Sequence, residues 1–226
     1  MGRNLLLILV VVLLAVGGGG YYWYSSAGGK AIVTGEEQPE VVETTRIDLA
    51  DMIVAADENV IVIEIAGATS GTVELELLPD LAPQHVERIK ALTRAGAYDG
   101  IAFHRVIDGF MAQTGDVKFA NVEEYDIRLA GSGDSDLPDL PAEFSDEPFV
   151  EGIVGMARSQ NPNSANSQFF IVTGDASFLN GQYTVLGRVT SGMDIVMGIK
   201  LGDRGNNGVV ASDPDYMASV KVKADM

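Results

Sequence analysis

The chain has 226 residues, 46% of them hydrophobic, which suits one domain with a substantial core plus additional segments. Fifteen Lys and Arg against 32 Asp and Glu give a net charge of −17, which disfavours nucleic-acid binding because phosphate backbones repel an acidic surface. The lack of cysteine in the sequence excludes disulfides, thiolate metal sites and a cysteine nucleophile. With only two histidines, His85 and His104, a histidine-based zinc site is disfavoured, and we predict neither a metal nor a cofactor.

The N-terminus predicts membrane targeting. Residues 5–16 are wholly apolar and follow Arg3, and a glycine run and an aromatic run come next. The apolar run alone has the length of the apolar region of a cleaved signal peptide, and Ala27 ends a tolerable cleavage site. Residues 5–24 together are long enough to span a bilayer, and aromatic residues favour the membrane interface. We predict a membrane anchor or signal segment over residues 1–24, favouring the uncleaved anchor, with Arg3 cytoplasmic and the remainder exported.

Residues 25–57 predict a flexible, acidic linker between that segment and a folded domain at residues 58–226. Gly, Glu and Thr are frequent in the linker, and residues 36–40 form a short acidic stretch. That acidic stretch is expected to stay solvated. Residues 47–56 suit a short helix or a strand, and the sequence leaves both open.

The folded domain begins with a predicted hairpin, formed by a β-branched strand at residues 60–65 and an alternating apolar and polar strand at 72–77. Pro83 suits the first turn of a helix that Gly96 ends. A second helix is predicted at residues 192–199. The remaining strand candidates are residues 102–107, 111–114, 153–157, 168–172, 185–189 and 216–222. Many short strands with two helices indicate a mainly β domain, a closed antiparallel barrel capped at its ends.

A long polar segment, residues 117–151, separates two of these strand candidates and is rich in Asp and Glu. Loops of that length are uncommon unless they are functional or mobile. Clustered carboxylates suit calcium, but the ordered oxygen spacing of a calcium-binding loop is missing here, so a solvated loop is the favoured interpretation.

Two stretches carry the most specific signal in the sequence. Residues 98–116 read YDGIAFHRVIDGFMAQTGD, and residues 155–171 begin with GMAR and end with SQFFI. Together they resemble the two signature stretches of cyclophilins, especially bacterial ones, and the resemblance extends over residues 59–222. It implies a closed eight-stranded antiparallel β-barrel capped by two α-helices, and peptidyl-prolyl cis/trans isomerase activity on proline-containing polypeptides.

Arg105 is the residue of this pattern with the clearest chemical signal. On an alternating strand it shares a face with Phe103 and Ile107, which is an unusual place for a guanidinium, while His104 points to the other face. The residues alone leave an arginine in a surface ion pair as an equal alternative. The resemblance implies instead that Arg105 is the catalytic residue.

The chemistry of X–Pro isomerisation suits an arginine. Amide resonance gives the bond a rotation barrier of roughly 18–20 kcal/mol. In the twisted state the nitrogen gains a lone pair, and a donor aimed at that lone pair stabilises the transition state more than the ground state. Because no proton transfer is required, His104 is predicted to make a structural hydrogen bond rather than to act as an acid or a base.

The resemblance also implies how a substrate is held. An apolar pocket takes the proline ring, glutamine side chains bind the substrate backbone, and backbone groups of Ala157 and Arg158 face the residues before proline. Phe178 and Tyr183 stand where many eukaryotic members have Trp and His, a difference that bacterial members often share. The implied substrate-binding residues are Phe110, Met111, Gln113, Ala157, Arg158, Gln168, Phe170, Phe178, Leu179 and Tyr183.

Two other functions stay open on the residues alone. A module of the same fold could bind proline segments without turnover, although the presence of Arg105 favours an enzyme. A hydrolase using a serine and His104 is disfavoured because no nucleophile elbow is visible. We predict a monomeric isomerase that assists the folding of exported proteins on the periplasmic side of the cell envelope. Its predicted partners are proline-containing polypeptides and, through the N-terminal segment, the membrane.

Overall fold

The structure, a computed structural model, describes residues 57–226. The predicted N-terminal segment, residues 1–24, and the predicted linker as far as residue 56 lie outside this part of the chain. The described residues form nine strands in one antiparallel sheet and two α-helices, α1 (Pro83–Arg94) and α2 (Met193–Gly198). The strands are β1 (Val60–Ala66), β2 (Gly71–Leu77), β3 (Ile101–Ala102), β4 (Arg105–Ile107), β5 (Met111–Thr114), β6 (Ile153–Met156), β7 (Phe169–Val172), β8 (Val185–Ser191) and β9 (Tyr216–Val222).

The predicted hairpin is confirmed. Strands β1 and β2 pair antiparallel with Ile63 opposite Val73. In β2 the alternating pattern buries Val73, Leu75 and Leu77 and turns the residues between them outward, as expected for a strand with one face on the core.

Helix α1 also follows its sequence signals. Pro83 occupies its first turn, where the missing N–H costs no hydrogen bond, and Val86, Ile89 and Leu92 are buried on one face. Gly96 lies just beyond the end of the helix with a φ of +69°, a left-handed conformation that glycine adopts without strain. Helix α2 lies within the predicted range of residues 192–199.

The prediction of a closed eight-stranded barrel is wrong in strand number and in closure. The strand order is β3-β9-β1-β2-β8-β6-β7-β5-β4, so β3 and β4 are the two edges of an open sheet within the described residues. The predicted strand at residues 102–107 is divided because Phe103 and His104 bond elsewhere. The N–H of Phe103 donates to Asp215 O at 2.9 Å, and the N–H of Val210 donates to His104 O at 3.0 Å.

The acidic segment at residues 117–151 is attached to the domain by carboxylates that accept backbone hydrogen bonds. Asp116 accepts the N–H groups of Gly131 and Gly133 at 2.7 and 3.0 Å. Glu143 accepts the N–H groups of Gln84 and His85 at the start of α1, both at 3.2 Å. Donors at a helix N-terminus have no partner within the helix, so Glu143 acts as its cap from a distant part of the chain.

Residues 57–226 contain neither a candidate metal site nor a candidate membrane-spanning helix. No group of three or more His, Asp or Glu side chains there has an arrangement that could hold a metal ion. None of the helices there combines the length and the hydrophobicity needed to cross a bilayer.

Two clusters of buried apolar side chains fill the domain. The larger lies between the sheet and α1 and includes Ile63, Leu75 and Val86. The smaller includes Met111 and Phe170, and partly buried side chains pack against it. The residues that pack against the smaller cluster are Leu78, Leu81, Ile107, Phe110, Ala157 and Tyr183. Several of these belong to the predicted site, so the site is formed on the outer side of the smaller cluster.

Candidate active site

Arg105 lies on the edge strand β4 directly opposite Gln113 of β5. Its Nη1 donates to Gln113 Oε1 at 3.0 Å. The side chain is half-buried, and burial lowers the pKa of the Arg105 guanidinium, which nevertheless stays protonated at neutral pH. Strand β4 therefore presents a fixed positive charge with a neutral hydrogen-bond partner.

A chain of side-chain hydrogen bonds continues behind Arg105. Gln113 Nε2 donates to Gln168 Oε1 at 3.0 Å, and Gln168 Nε2 donates to Gly133 O at 2.8 Å. Because Gln113 accepts from Arg105 with its oxygen, its amide nitrogen is left to donate onward, which fixes the orientation of both amides. The acidic segment thus supports Arg105 through two glutamines.

Asn207 is a second partner of Arg105 and was not among the residues predicted for the site. Its backbone oxygen accepts from Arg105 Nε at 2.9 Å, and its side-chain Oδ1 accepts from Arg105 Nη2 at 3.0 Å. Asn207 has a φ of +52°, a left-handed conformation that asparagine tolerates better than most residues. The Asn207-Gly208 dipeptide is a turn signal in the sequence, but a turn signal does not reveal which side chain the turn will meet.

A cavity of about 280 Å³ opens beside Arg105. Its apolar wall includes Met111, Phe170 and Leu179, each almost fully buried, while Phe178 stands at the rim with 62% of its surface exposed. Ten of the eleven residues that the resemblance implied line this one cavity. They are Arg105, Phe110, Met111, Gln113, Ala157, Arg158, Phe170, Phe178, Leu179 and Tyr183. The eleventh, Gln168, is not part of this lining but accepts a hydrogen bond from Gln113, which is.

Arg158 forms the second charged part of the lining. Its guanidinium lies over the ring of Tyr183 at 4.2 Å from the ring centroid. Nη2 donates to Gln182 O and Nη1 donates to Ser159 O, both at 2.8 Å. These contacts hold a long side chain in one orientation at the cavity.

Comparison with known proteins identifies the family. The sequence model described as "Cyclophilin type peptidyl-prolyl cis-trans isomerase/CLD" matches residues 60–222. The chain belongs to the cyclophilin family. The predicted family and enzyme class are thereby confirmed.

Curated cyclophilin relatives are similar over most of their length. Proteins of Brucella suis biovar 1 and Brucella melitensis biotype 1, each named probable peptidyl-prolyl cis-trans isomerase, are 60% identical over 173 residues. The match covers 76% of this chain and 86% of each relative.

Solved cyclophilin structures share the fold. The cyclophilin AquaCyp293 from Hirschia baltica superimposes with a TM-score of 0.61 at 24% identity, covering 80% of this chain and 82% of that one. A Cryptosporidium parvum cyclophilin, crystallised in the presence of the dipeptide Ala-Pro, gives a TM-score of 0.59 at 24% identity, covering 72% of this chain and 98% of that one.

His104 lies in the break between β3 and β4, so it belongs to no strand, and the structural hydrogen bond predicted for it is not found among residues 57–226. The side chain is 3% exposed, and neither ring nitrogen has a hydrogen-bond partner among the described residues. Burial lowers the pKa of the His104 imidazole to about 4, against a weaker opposing effect of Asp116. The ring is therefore neutral at pH 7, and no serine in the described part of this cyclophilin is paired with it.

We expect this histidine to make the fold acid-sensitive. Between pH 6.5 and 4 the unfolded chain binds a proton at His104 and the folded chain does not, so stability falls as the pH falls through that window. The full loss is about 3 kcal/mol. NMR titration of the ring carbons should give a pKa near 4, and urea denaturation at pH 7 and 4.5 should show the loss, reduced in the variant His104→Gln. A His104 ring that titrates near 6.5 would contradict the expectation.

Proposed function

We propose that this cyclophilin catalyses cis/trans isomerisation of X–Pro bonds in polypeptides, with Arg105 as the hydrogen-bond donor to the prolyl nitrogen. The observation that carries the proposal is the guanidinium of Arg105 held at an apolar cavity by two neutral residues, Gln113 and Asn207. The names of the Brucella relatives and the Ala-Pro dipeptide used with the Cryptosporidium cyclophilin support it.

The hydrogen bonds of Arg105 leave donors for a substrate. A guanidinium has five N–H groups, and three of them are directed to Gln113 and Asn207. A fourth, on Nη1, makes only a long contact of 4.0 Å with Met111 Sδ in the cavity wall. The fifth, on Nη2, has no acceptor among residues 57–226, so Arg105 keeps a donor for the nitrogen lone pair that develops as the amide twists. A neutral acceptor such as Gln113 orients the guanidinium and leaves its positive charge in place. A carboxylate in the same position would neutralise that charge.

The slow uncatalysed rate determines how far the site must lower the activation barrier. Uncatalysed X–Pro isomerisation takes tens to hundreds of seconds. Reaching milliseconds requires roughly a 10⁵-fold gain, or about 7 kcal/mol off the barrier. A preorganised donor contributes about 3 to 4 kcal/mol in comparable sites, and fixing the proline ring against Met111, Phe170 and Leu179 contributes through orientation.

We expect Arg105→Ala to reduce kcat/KM by about 10²- to 10³-fold, because it removes the transition-state donor. The measurement is a proline-limited peptide isomerisation assay on the purified chain, with circular dichroism to show that the domain stays folded. Arg188→Ala is the matched control, since Arg188 is an exposed arginine on β8 that is paired with Glu76 and does not line the cavity. Full activity in Arg105→Ala would refute the mechanism.

Asn207 is expected to act as a positioning residue for Arg105. Asn207→Gly keeps the left-handed turn and the backbone acceptor but removes Oδ1, so kcat should fall about 3- to 10-fold with KM little changed. In an Arg105→Ala background the same substitution should have no further effect, because the two residues act together. Asp213→Gly, at another described residue with a left-handed backbone (φ +44°), controls for the change to glycine. If Asn207→Gly lowered kcat by the same factor in the wild type and in Arg105→Ala, Asn207 would not act by positioning Arg105.

We further propose that the protein works on the exported side of a membrane and assists the folding of exported proteins. The support is the sequence of residues 1–24 and the acidic linker that follows, which together resemble a tethered domain. Subcellular fractionation and mass measurement of the mature chain test this. Recovery of an intact chain with the membranes is expected; a chain that begins after Ala27 would replace the anchor by a cleaved signal, and a cytoplasmic chain would exclude both.

A further inference from the structure

The cavity is a positive site in an acidic protein. The chain carries a net charge of −17, yet among residues 57–226 the charged side chains that line the cavity are two arginines, Arg105 and Arg158. Arg105 is the hydrogen-bond donor in the proposed reaction. Isomerisation of a neutral amide does not require a second guanidinium.

The two cavity arginines also differ from most other arginines of the domain in having no carboxylate partner. The structure describes seven arginines, and four of them form ion pairs with carboxylates: Arg94, Arg128, Arg188 and Arg204. A fifth, Arg88, donates to the backbone oxygens of Pro138 and Asn166, away from the cavity. Neither of the two cavity arginines is paired with a carboxylate of residues 57–226. Two guanidinium groups without a carboxylate partner at one cavity, in a chain where acidic residues outnumber basic ones, leave positive charge there that an anionic group of a ligand can neutralise.

Arg158 is also prepared to bind an anion. Its stacking on Tyr183 and its bonds to the oxygens of Gln182 and Ser159 fix the plane of the guanidinium. Three of its five N–H groups are used in these bonds, so two remain free. A carboxylate accepts two parallel N–H bonds from a guanidinium, and a side chain that is already immobilised loses little conformational entropy on binding.

We propose that Arg158 selects polypeptides in which an Asp or Glu lies within two residues of the isomerising proline. The inference rests on the proposed isomerase function and adds a substrate class to it. The carboxylate of the client occupies the free N–H groups of Arg158 while the proline ring occupies the apolar wall beside Arg105. The net charge of the protein opposes acidic clients at long range, but salt screens that repulsion beyond about 8 Å at physiological ionic strength, whereas the contact with Arg158 is shorter.

Matched peptide pairs test the proposal on the full chain. The two peptides of a pair differ at one position only, where one carries Asp and the other Asn. The positions tested are the two residues before proline and the two residues after it, and kcat/KM is measured for every peptide. The Asp/Asn ratio should be about 3 to 10 at one of these positions. In Arg158→Gln the ratio should fall to about one, whereas Arg188→Gln, which removes the same charge from a surface remote from the cavity lining, should keep the wild-type ratio. A wild-type ratio of one at every position, or an unchanged ratio in Arg158→Gln, would overturn the proposal.

Two further measurements keep the outcome decisive. If Arg158→Gln does not fold, the wild-type ratio measured up to 1 M salt replaces it, since the Debye length falls to about 3 Å and an ionic preference must shrink. A ratio unaffected by salt overturns the proposal. If the wild type turns over neither peptide, the isomerase function fails, and NMR titration then compares the binding of the two peptides. Tighter binding of the Asp peptide supports the assignment of Arg158, and equal dissociation constants refute it.

Discussion

The hydrogen bonds that hold Arg105 are the constraint on which the rest of the site depends. The guanidinium is bonded on one side to Gln113, on the neighbouring strand, and on the other to Asn207, which lies 102 positions later in the chain. Both partners are neutral, so the charge is oriented without being cancelled. A partly buried cation without a carboxylate loses solvation, and the hydrogen bonds to Gln113 and Asn207 offset that loss.

The open edge of the sheet is what brings Asn207 to Arg105. Strand β4 does not pair with β3 or β9, so its free backbone groups bond to the loop that precedes β9: Val106 N donates to Gly208 O at 2.8 Å, and Gly202 N donates to Val106 O at 3.0 Å. This pairing fixes the turn that carries Asn207. A continuous strand in a closed barrel would have used these same groups for the ladder, because each residue has one donor and one acceptor on its backbone.

The acidic residues and the positive cavity have separate tasks. Asp116, just before the segment at residues 117–151, and Glu143 within it accept backbone N–H groups and so hold a long loop in place. The backbone oxygens of that loop in turn fix Gln168, which fixes Gln113 and hence Arg105. The negative charge of the chain is therefore partly structural, while Arg105 and Arg158 at the cavity have no carboxylate partner among residues 57–226.

The sequence by itself determined the hairpin, helix α1, the family and the lining of the cavity, because these depend on local periodicity and on long ordered strings of residues. It also carries the whole case for the N-terminal segment. Only the tertiary structure decided that the strand at residues 102–107 divides, that Asn207 meets Arg105, and that His104 is buried without a partner. Each of these depends on which backbone and side-chain groups meet across large separations in the chain, and no local pattern encodes the partner.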